Sequence, residues 1–248
     1  MGLAVAGLLA LQGAALADTG QVTCHDASAL TGTVTLGNPD PEQAGFDRQD
    51  CTMGTAAAQA LGVGFAVDIA ADGGDWSKLD ANGDVLPADA ASWSCVRDNL
   101  AGLVWEVKTT DGGLRDGGHT HTWRSTDAAS NGGNAGTLGT DTCNTTLPDG
   151  QCNTEAYLAA LNAAGLCGGS NWRLPSIGEL EGLVDFDRGS PAINTALFPE
   201  TVASSYWSAQ TAAGNTNGAW TIVFDGGRRV SSTKGSPGAR VRAVRSEP

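Results

Sequence analysis

One block of the chain carries the clearest helical pattern of apolar positions. Residues 153–165 read NTEAYLAALNAAG, in which Asn153 or Thr154 can cap a helix and Gly165 can end it. The apolar residues recur at i, i+1, i+4 and i+7, the spacing of one helix face; they are Tyr157, Leu158, Leu161 and Ala164. The pattern predicts an amphipathic helix that packs on a core.

A second helix is predicted directly after a tryptophan-containing segment. Gly168 and Gly169 turn the chain, and residues 172–174 form a short apolar segment that ends at Pro175. Ser176 and Glu179 have the spacing of a capping box, in which each side chain satisfies a backbone N–H of the other's turn. The predicted buried side of this helix contains Leu180, Leu183 and Val184.

Short alternating blocks between turn residues predict strands. They cover residues 31–36, 62–69, 93–96, 103–108, 205–209, 219–224, 228–232 and 240–245, with a hairpin over 76–86 that turns at Asn82-Gly83. The polar stretches 127–141, 210–218 and 231–238 are predicted loops, the first of them a surface loop or part of a binding rim. Together these elements predict an α+β fold with a mixed or antiparallel sheet, two helices and a small β-rich amino-terminal region.

Several ordered sequence words resemble one known family. They are GLVWE (102–106), LCGG (166–169), NWRLPSIGELEGLVD (171–185), SYWSAQ (205–210), AWTIVF (219–224) and VRAVRS (241–246). These words resemble the DUF1566 family, also called the C-terminal domain of Legionella collagen-like adhesin. The resemblance implies a C-type-lectin-like fold and a secreted or cell-surface binding module with no catalytic residues. It also suggests, as an alternative, that the Asn-rich loops are variable ligand loops.

Three segments are predicted along the chain. Residues 1–17, MGLAVAGLLALQGAALA, have the apolar run and small residues of a secretory signal cleaved before Asp18, although the usual positive start is missing. Retention as an apolar anchor or assembly element is the alternative. Residues 18–61 are predicted to form a small β-rich subdomain or arm, and residues 62–248 the main domain, with the resemblance strongest over 93–246. No membrane span is expected after processing.

Composition narrows the function classes. The net charge of −13 argues against nucleic-acid binding and favours an extracellular surface. The balance is uneven, because residues 225–248 contain six basic residues and only two acidic ones. That local excess makes an anionic ligand possible near the carboxyl end.

Six cysteines behind a predicted signal indicate disulfides. Cys152 and Cys167 bracket a helix about 16 Å long, too far for a bond between them. Local spacing favours Cys143–Cys152 and Cys24–Cys51, which leaves Cys95–Cys167. All six cysteines then have structural partners.

A binding site requires aromatic platforms, polar loops and charge in one place. Aromatic faces stack on sugar rings, and arginine forks pair with sulfate or carboxylate groups. The predicted ligand-binding residues are Tyr206, Trp207, Trp220, Arg228, Arg229, Lys234, Arg240 and Arg242. A polyanionic glycan is the predicted ligand class, although burial of the tryptophans in the core is the alternative. The arginines of strand 240–245 are expected to share an outward face.

Catalytic and metal chemistry have weaker signals. His119 and His121 have a spacing that can hold a metal but lack a third nearby ligand, and Asp80, Asn82 and Asp84 resemble only the start of a calcium loop. A solvated helix face explains the carboxylates of Glu179, Glu181, Asp185 and Asp187. We therefore predict no enzyme activity, no cofactor and no metal. A structural subunit of an extracellular filament is the alternative function, and a sulfatase-modifying-factor-like enzyme is a weaker one.

Overall fold

The computed structural model describes residues 23–25, 33–35 and 75–247. β1 (Thr23–His25) and β2 (Thr33–Thr35) pair antiparallel, and β2 lies within the predicted strand 31–36. The predicted signal at 1–17, the strand at 62–69 and the Cys24–Cys51 disulfide lie outside the described residues, and the domain boundaries stay predictions.

Two antiparallel sheets form the main domain. The first contains β3 (Trp76–Leu79), β4 (Cys95–Asp98), β5 (Leu103–Glu106) and β9 (Val244–Ser246) in the order β3-β4-β5-β9. The second contains β6 (Ser205–Ala212), β7 (Asn215–Val223) and β8 (Arg228–Thr233) in the order β6-β7-β8. The first sheet therefore joins the beginning and the end of the main domain.

Both predicted helices are present. In α1 (Thr154–Ala163) the Asn153 side chain accepts the N–H of Ala156, and Gly165 follows with a φ of 61°. In α2 (Ile177–Glu181) the reciprocal Ser176–Glu179 capping box forms as predicted. The buried face of α1 is narrower than expected, because Tyr157 and Leu161 are buried but Ala164 is exposed.

Two apolar cores lie around the sheets. One centres on Trp123, Tyr157 and Trp207 and includes the four cysteines of the main domain. The other centres on Trp105 and Phe224 and takes in the buried side of α2. The α+β expectation is thus confirmed, with antiparallel pairing between every pair of named strands in the described residues.

Two predicted disulfides are present. Cys95–Cys167 joins β4 to the segment after α1, and Cys143–Cys152 closes a short loop. Beside the first bond, a Cβ on Gly83 would lie 2.5 Å from the carbonyl oxygen of Cys167, and one on Gly168 would lie 2.5 Å from that of Asn82. These two backbones touch so closely that only glycine fits at either position.

One prediction about the second sheet is wrong. Residues 210–218 were expected to form a loop, but β6 and β7 continue through most of this stretch and turn at Ala213-Gly214. The pairing register shifts between Trp207 and Ala212, as at a β-bulge. The irregular register explains why the alternation of apolar residues ends before the strand does.

Candidate functional site

The two predicted aromatic platforms of β6 are interior residues. Tyr206 and Trp207 are each 0 % exposed, so neither ring can reach a ligand. The indole Nε1 of Trp207 donates to the carbonyl of His121 at 2.8 Å, and the Tyr206 ring packs edge-on against Phe224. The core alternative therefore holds for both residues.

The expected outward face of the last arginines is wrong. Arg242 is 0 % exposed and donates to the Glu106 carbonyl at 2.8 Å and the Thr201 hydroxyl at 2.7 Å. Arg245 is also buried and donates to the Cys167 carbonyl at 2.9 Å. Arg240 is half-buried and donates to the Gly117 carbonyl at 2.8 Å. Residues 241–243 belong to no named strand and lie in the interior, where the guanidinium groups satisfy buried backbone oxygens.

Three predicted residues remain accessible on β7 and β8. Trp220 is half-buried, while Arg228 and Arg229 are exposed. The Arg229 fork donates two 2.7 Å bonds to Glu181 and lies 5.7 Å from the Trp220 ring centre. This carboxylate raises the pKa of Arg229. Because neighbouring strand residues point to opposite faces, Arg228 and Arg229 do not form one cationic cluster.

Lys234 is buried and has structural hydrogen-bond partners instead of an exposed position. Its side chain is 1 % exposed, and its ammonium donates to the carbonyls of Asn131 and Asn134 at 2.8 Å each and to the Thr211 hydroxyl at 2.9 Å. The nitrogen lies 4.1 Å from the centre of the Trp123 ring. Burial lowers the pKa of Lys234. This lysine therefore ties a surface loop to the sheet.

We call the surface above Lys234 the polar rim; it comprises residues 127–141 and 213–217. The Asn134 amide donates to the Asn217 side chain at 2.6 Å, and Lys234 N–H donates to the Asn217 carbonyl at 2.9 Å. A Cβ on Gly132 would lie 2.8 Å from the Thr211 side chain, so the first segment also lies close against β6. Most of the rim's residues are exposed, and they are mainly Asn, Thr, Ser, Gly and Ala. The arrangement offers fixed neutral hydrogen-bonding groups to solvent.

An ionisable cluster that the sequence did not reveal lies beneath the surface. Glu106 is 0 % exposed; its Oε1 accepts from Lys108 at 2.8 Å and from the Tyr157 hydroxyl, and its Oε2 accepts from the N–H of Ala243 at 2.9 Å. Burial lowers the pKa of Lys108, although Glu106 opposes this shift, and burial with the adjacent carboxylate raises the pKa of Tyr157. The signal in the sequence was the i, i+2 spacing of Glu106 and Lys108 in an extended segment, which places both on one face.

The two candidate metal-binding histidines differ in environment. His121 is buried against Tyr157, with ring centres 5.1 Å apart, and neither imidazole nitrogen has a hydrogen-bond partner among the residues that the structure describes. Burial lowers the pKa of His121 to about 3. His119 is half-buried, and burial lowers its pKa too. Among residues 75–247, neither histidine belongs to a group of three potential metal ligands.

The other candidate carboxylates participate in turns and ion pairs. Asp80 Oδ1 accepts from the N–H groups of Asn82 and Asp84 at 2.8 and 2.9 Å. Such bonds from an aspartate side chain to the following backbone stabilise a turn. Three of the four candidate carboxylates pair with arginines: Glu179 with Arg173 and Glu181 with Arg229 in α2, and Asp185 with Arg188 after it.

The fold and the interior together define a disulfide-stabilised α+β domain with polar loops fixed to a rigid framework. The chain belongs to the Lcl C-terminal domain family, whose sequence model matches residues 94–245. No curated protein and no solved structure matches the chain. Within the described residues, no helix has both the length and the apolar character needed to cross a bilayer.

Proposed function

We propose that this protein is a non-catalytic recognition domain of the adhesin type, secreted or held at the cell surface, with a C-type-lectin-like architecture. The family match and the two disulfides support this proposal. Disulfides persist in oxidising compartments, which favours a location outside the cell.

The observation that carries the proposal is the anchoring of the polar rim by Lys234. A binding surface gains affinity when its loops are ordered before the ligand arrives, because the ordering entropy is not lost on binding. Three hydrogen bonds from one buried ammonium hold the 127–141 segment of the rim against β6. Amide and hydroxyl groups on such a surface are suited to the hydroxyl groups of glycans.

The interior supports binding over catalysis. The groups best suited to proton transfer, Glu106, Lys108 and Tyr157, are closed off from solvent and bonded to one another. A sulfatase-modifying-factor-like reaction requires an active cysteine pair, whereas the four cysteines of the main domain form disulfides. We keep the absence of enzyme activity as part of the proposal.

The accessible arginines limit which anionic ligands fit. Of the five basic residues predicted to bind a polyanion, only Arg228 and Arg229 are well exposed, and Arg229 is already paired. We therefore propose glycans with isolated carboxylate or sulfate groups, contacted by Trp220 and Arg229 on one face of the second sheet or by Arg228 on the other.

A specific feature favours a second function, that of a subunit in a surface assembly. β8 is an edge strand with five exposed residues out of six, and in the described residues it pairs only with β7. Such an edge can accept a strand from another copy.

The test is a glycan array, followed by titration of each hit with the wild type, with Arg228→Glu/Arg229→Glu and with Arg97→Glu. Arg97 is a matched control because it pairs with Glu247 on the other sheet. We expect the double variant to lose anionic glycans while the control retains them, with all three proteins melting within a few degrees of one another. A blank array for the wild type would overturn glycan recognition. Particles that grow with concentration in light scattering would favour assembly.

A further inference from the structure

The outer side of β8 is a free edge of the second sheet in the part of the chain that the structure describes. The pairing of β8 with β7 starts beside a bond of 2.9 Å from Lys234 N–H to the Asn217 carbonyl and keeps one register through the whole strand. Hydrogen-bonded and non-hydrogen-bonded pairs alternate along an antiparallel ladder. The backbone groups that face β7 are therefore those of Arg228, Val230 and Ser232. Those that point to the free edge belong to Arg229, Ser231 and Thr233.

Most of this edge is open to solvent. Five of the six β8 residues are exposed, and the apolar side chain of Val230 is 37 % exposed. Among the described residues, no second strand bonds the outward backbone groups of Arg229 and Ser231. The Thr233 carbonyl is already used, because it accepts the N–H of Ser236 at 2.9 Å. The open part of the edge is thus a three-residue stretch centred on Val230.

This stretch is complementary to itself. An added strand must place its own outward-pointing residues opposite those of β8. A second copy of β8, antiparallel and centred on Val230, does so, because Arg229 of each copy then lies opposite Ser231 of the other. Each of these two pairs exchanges two backbone hydrogen bonds. Val230 lies opposite Val230 of the second copy in a non-hydrogen-bonded pair, where side chains approach most closely, so the exposed apolar group is covered.

The charges of β8 favour the antiparallel arrangement. Its first two residues, Arg228 and Arg229, are basic, and the other four are uncharged. Antiparallel pairing sets Arg228 opposite Ser232 of the second copy, whereas parallel pairing sets like charges side by side, which is destabilising. The net charge of −13 makes copies of the chain repel each other, but β8 itself contains no acidic residue. An approach of two copies along this edge therefore avoids much of that repulsion.

We propose that two copies of this chain join through antiparallel pairing of their β8 strands, centred on Val230, to form one continuous six-stranded sheet. The proposal rests on the assembly function given above and names its contact surface and its partner. The pairing occupies both free edges, so it closes at a dimer. Opposed residues of paired strands share a face, so Trp220 and Arg229 of both copies lie on the same side of the joined sheet. A ligand with repeated units can then contact two sites at once, which raises its apparent affinity.

Cysteine crosslinking of the full-length protein tests the register. Val230→Cys should form a covalent dimer under mild oxidation, because the Cβ atoms of such a pair lie about 4.5–5.5 Å apart, close to the separation that a disulfide needs. Ser231→Cys is a matched control, since Ser231 is also exposed but lies opposite Arg229 of the second copy, with its own counterpart two residues further along. We expect about tenfold more covalent dimer from Val230→Cys than from Ser231→Cys on non-reducing gels.

Sedimentation velocity over a range of concentrations tests the edge without a new cysteine. The wild type should shift from monomer to dimer as its concentration rises, since a junction of two short strands is small and its association weak. Ser231→Pro should stay monomeric, because it removes an N–H that points outward while every ladder bond to β7 remains. Its melting temperature should stay within a few degrees of the wild type. If this variant does not fold, the cysteine pair still decides the proposal.

Three results would count against the β8 junction. A wild type that stays monomeric at the highest concentration removes the junction and the assembly function together. Equal dimer formation by Ser231→Cys and Val230→Cys, or capture of Val230→Cys by a native cysteine in mass mapping, overturns the register and the partner. A Ser231→Pro variant that dimerises like the wild type overturns the junction but leaves the assembly function standing, with another surface as its contact.

Discussion

Two buried lysines show different ways of keeping a positive charge inside one domain. Lys108 bonds to the buried carboxylate of Glu106 at 2.8 Å and to the Tyr157 hydroxyl at 3.0 Å. The Lys234 ammonium bonds instead to two carbonyls and one hydroxyl, and within residues 75–247 no carboxylate is among its hydrogen-bond partners. The ammonium nitrogen of each lysine also lies over an aromatic ring. Lys108 Nζ is 4.8 Å from the centre of the Tyr157 ring, and Lys234 Nζ is 4.1 Å from that of Trp123.

The difference in their partners distinguishes a lysine of the structural core from a lysine that orders surface loops. Loss of either partner of an interior ion pair is strongly destabilising, because it leaves a buried charge uncompensated. A lysine held by neutral oxygens shares its charge among several weaker contacts, each of which also orders the segment that supplies it. The Lys108 cluster therefore joins β5 to α1, while Lys234 orders the polar rim.

The largest expected effect is from Glu106→Ala. Removal of this carboxylate leaves the Lys108 ammonium buried without a counter-charge, so the free energy of unfolding should fall by about 3–5 kcal/mol. Denaturant titration measures the loss. The paired replacement Glu106→Gln/Lys108→Met removes both charges and should cost less than Glu106→Ala. An equal or larger loss in the double variant would mean that the charge of Lys108 is not the cause.

Lys234→Met should have a smaller and more local effect. It leaves three oxygens without their donor, which should lower the free energy of unfolding by roughly 2 kcal/mol. Hydrogen exchange should accelerate at the amides of Asn131 and Asn134 but not in β4 and β5. Lys78→Met is a matched control, because Lys78 also bonds a carbonyl, that of Ala90, and lies over Trp93. If the control loosens the rim equally, Lys234 is not its anchor.

His121 is a third buried ionisable group, and it should make the free energy of unfolding depend on pH. Its pKa in the folded protein is about 3, below the unfolded value near 6.5, so the unfolded chain binds a proton that the folded protein excludes. The free energy of unfolding should therefore fall by about 1.4 kcal/mol per pH unit from this residue as the pH drops from 6.5 towards 3. His121→Phe, which keeps a ring beside Tyr157, should remove that slope in denaturant titrations at several pH values. An unchanged slope would contradict the assignment.

The smallest effect is expected at the surface. Arg229→Ala breaks an exposed ion pair with Glu181 and should lower the free energy of unfolding by less than any substitution above, with the difference reduced by salt. Thermal melts at low and high salt measure it. A loss comparable to that of Lys234→Met would place Arg229 in the framework and remove it from the accessible surface.

Local patterns predicted the helices and the disulfides well, since capping residues and loop spacing act over short distances. Asn153, the Ser176–Glu179 pair and the Cys143–Cys152 loop all needed only their neighbours. The site was harder to predict. Alternation in residues 240–245 placed the arginines outside, but packing between two cores buries Arg242 and Arg245 against carbonyls that come from distant parts of the chain. A basic residue in the sequence does not show whether its partner will be a ligand or a backbone oxygen.

The Cys95–Cys167 bond has a mechanical consequence for the chain under tension. Its cysteines are 72 positions apart, so tension applied along the chain bypasses everything between them. That stretch includes α1 and most of the polar rim. At about 3.5 Å per residue it could extend by roughly 250 Å, but it cannot do so until the bond is reduced. Load can therefore unfold the strands outside that stretch while the stretch itself adds no length.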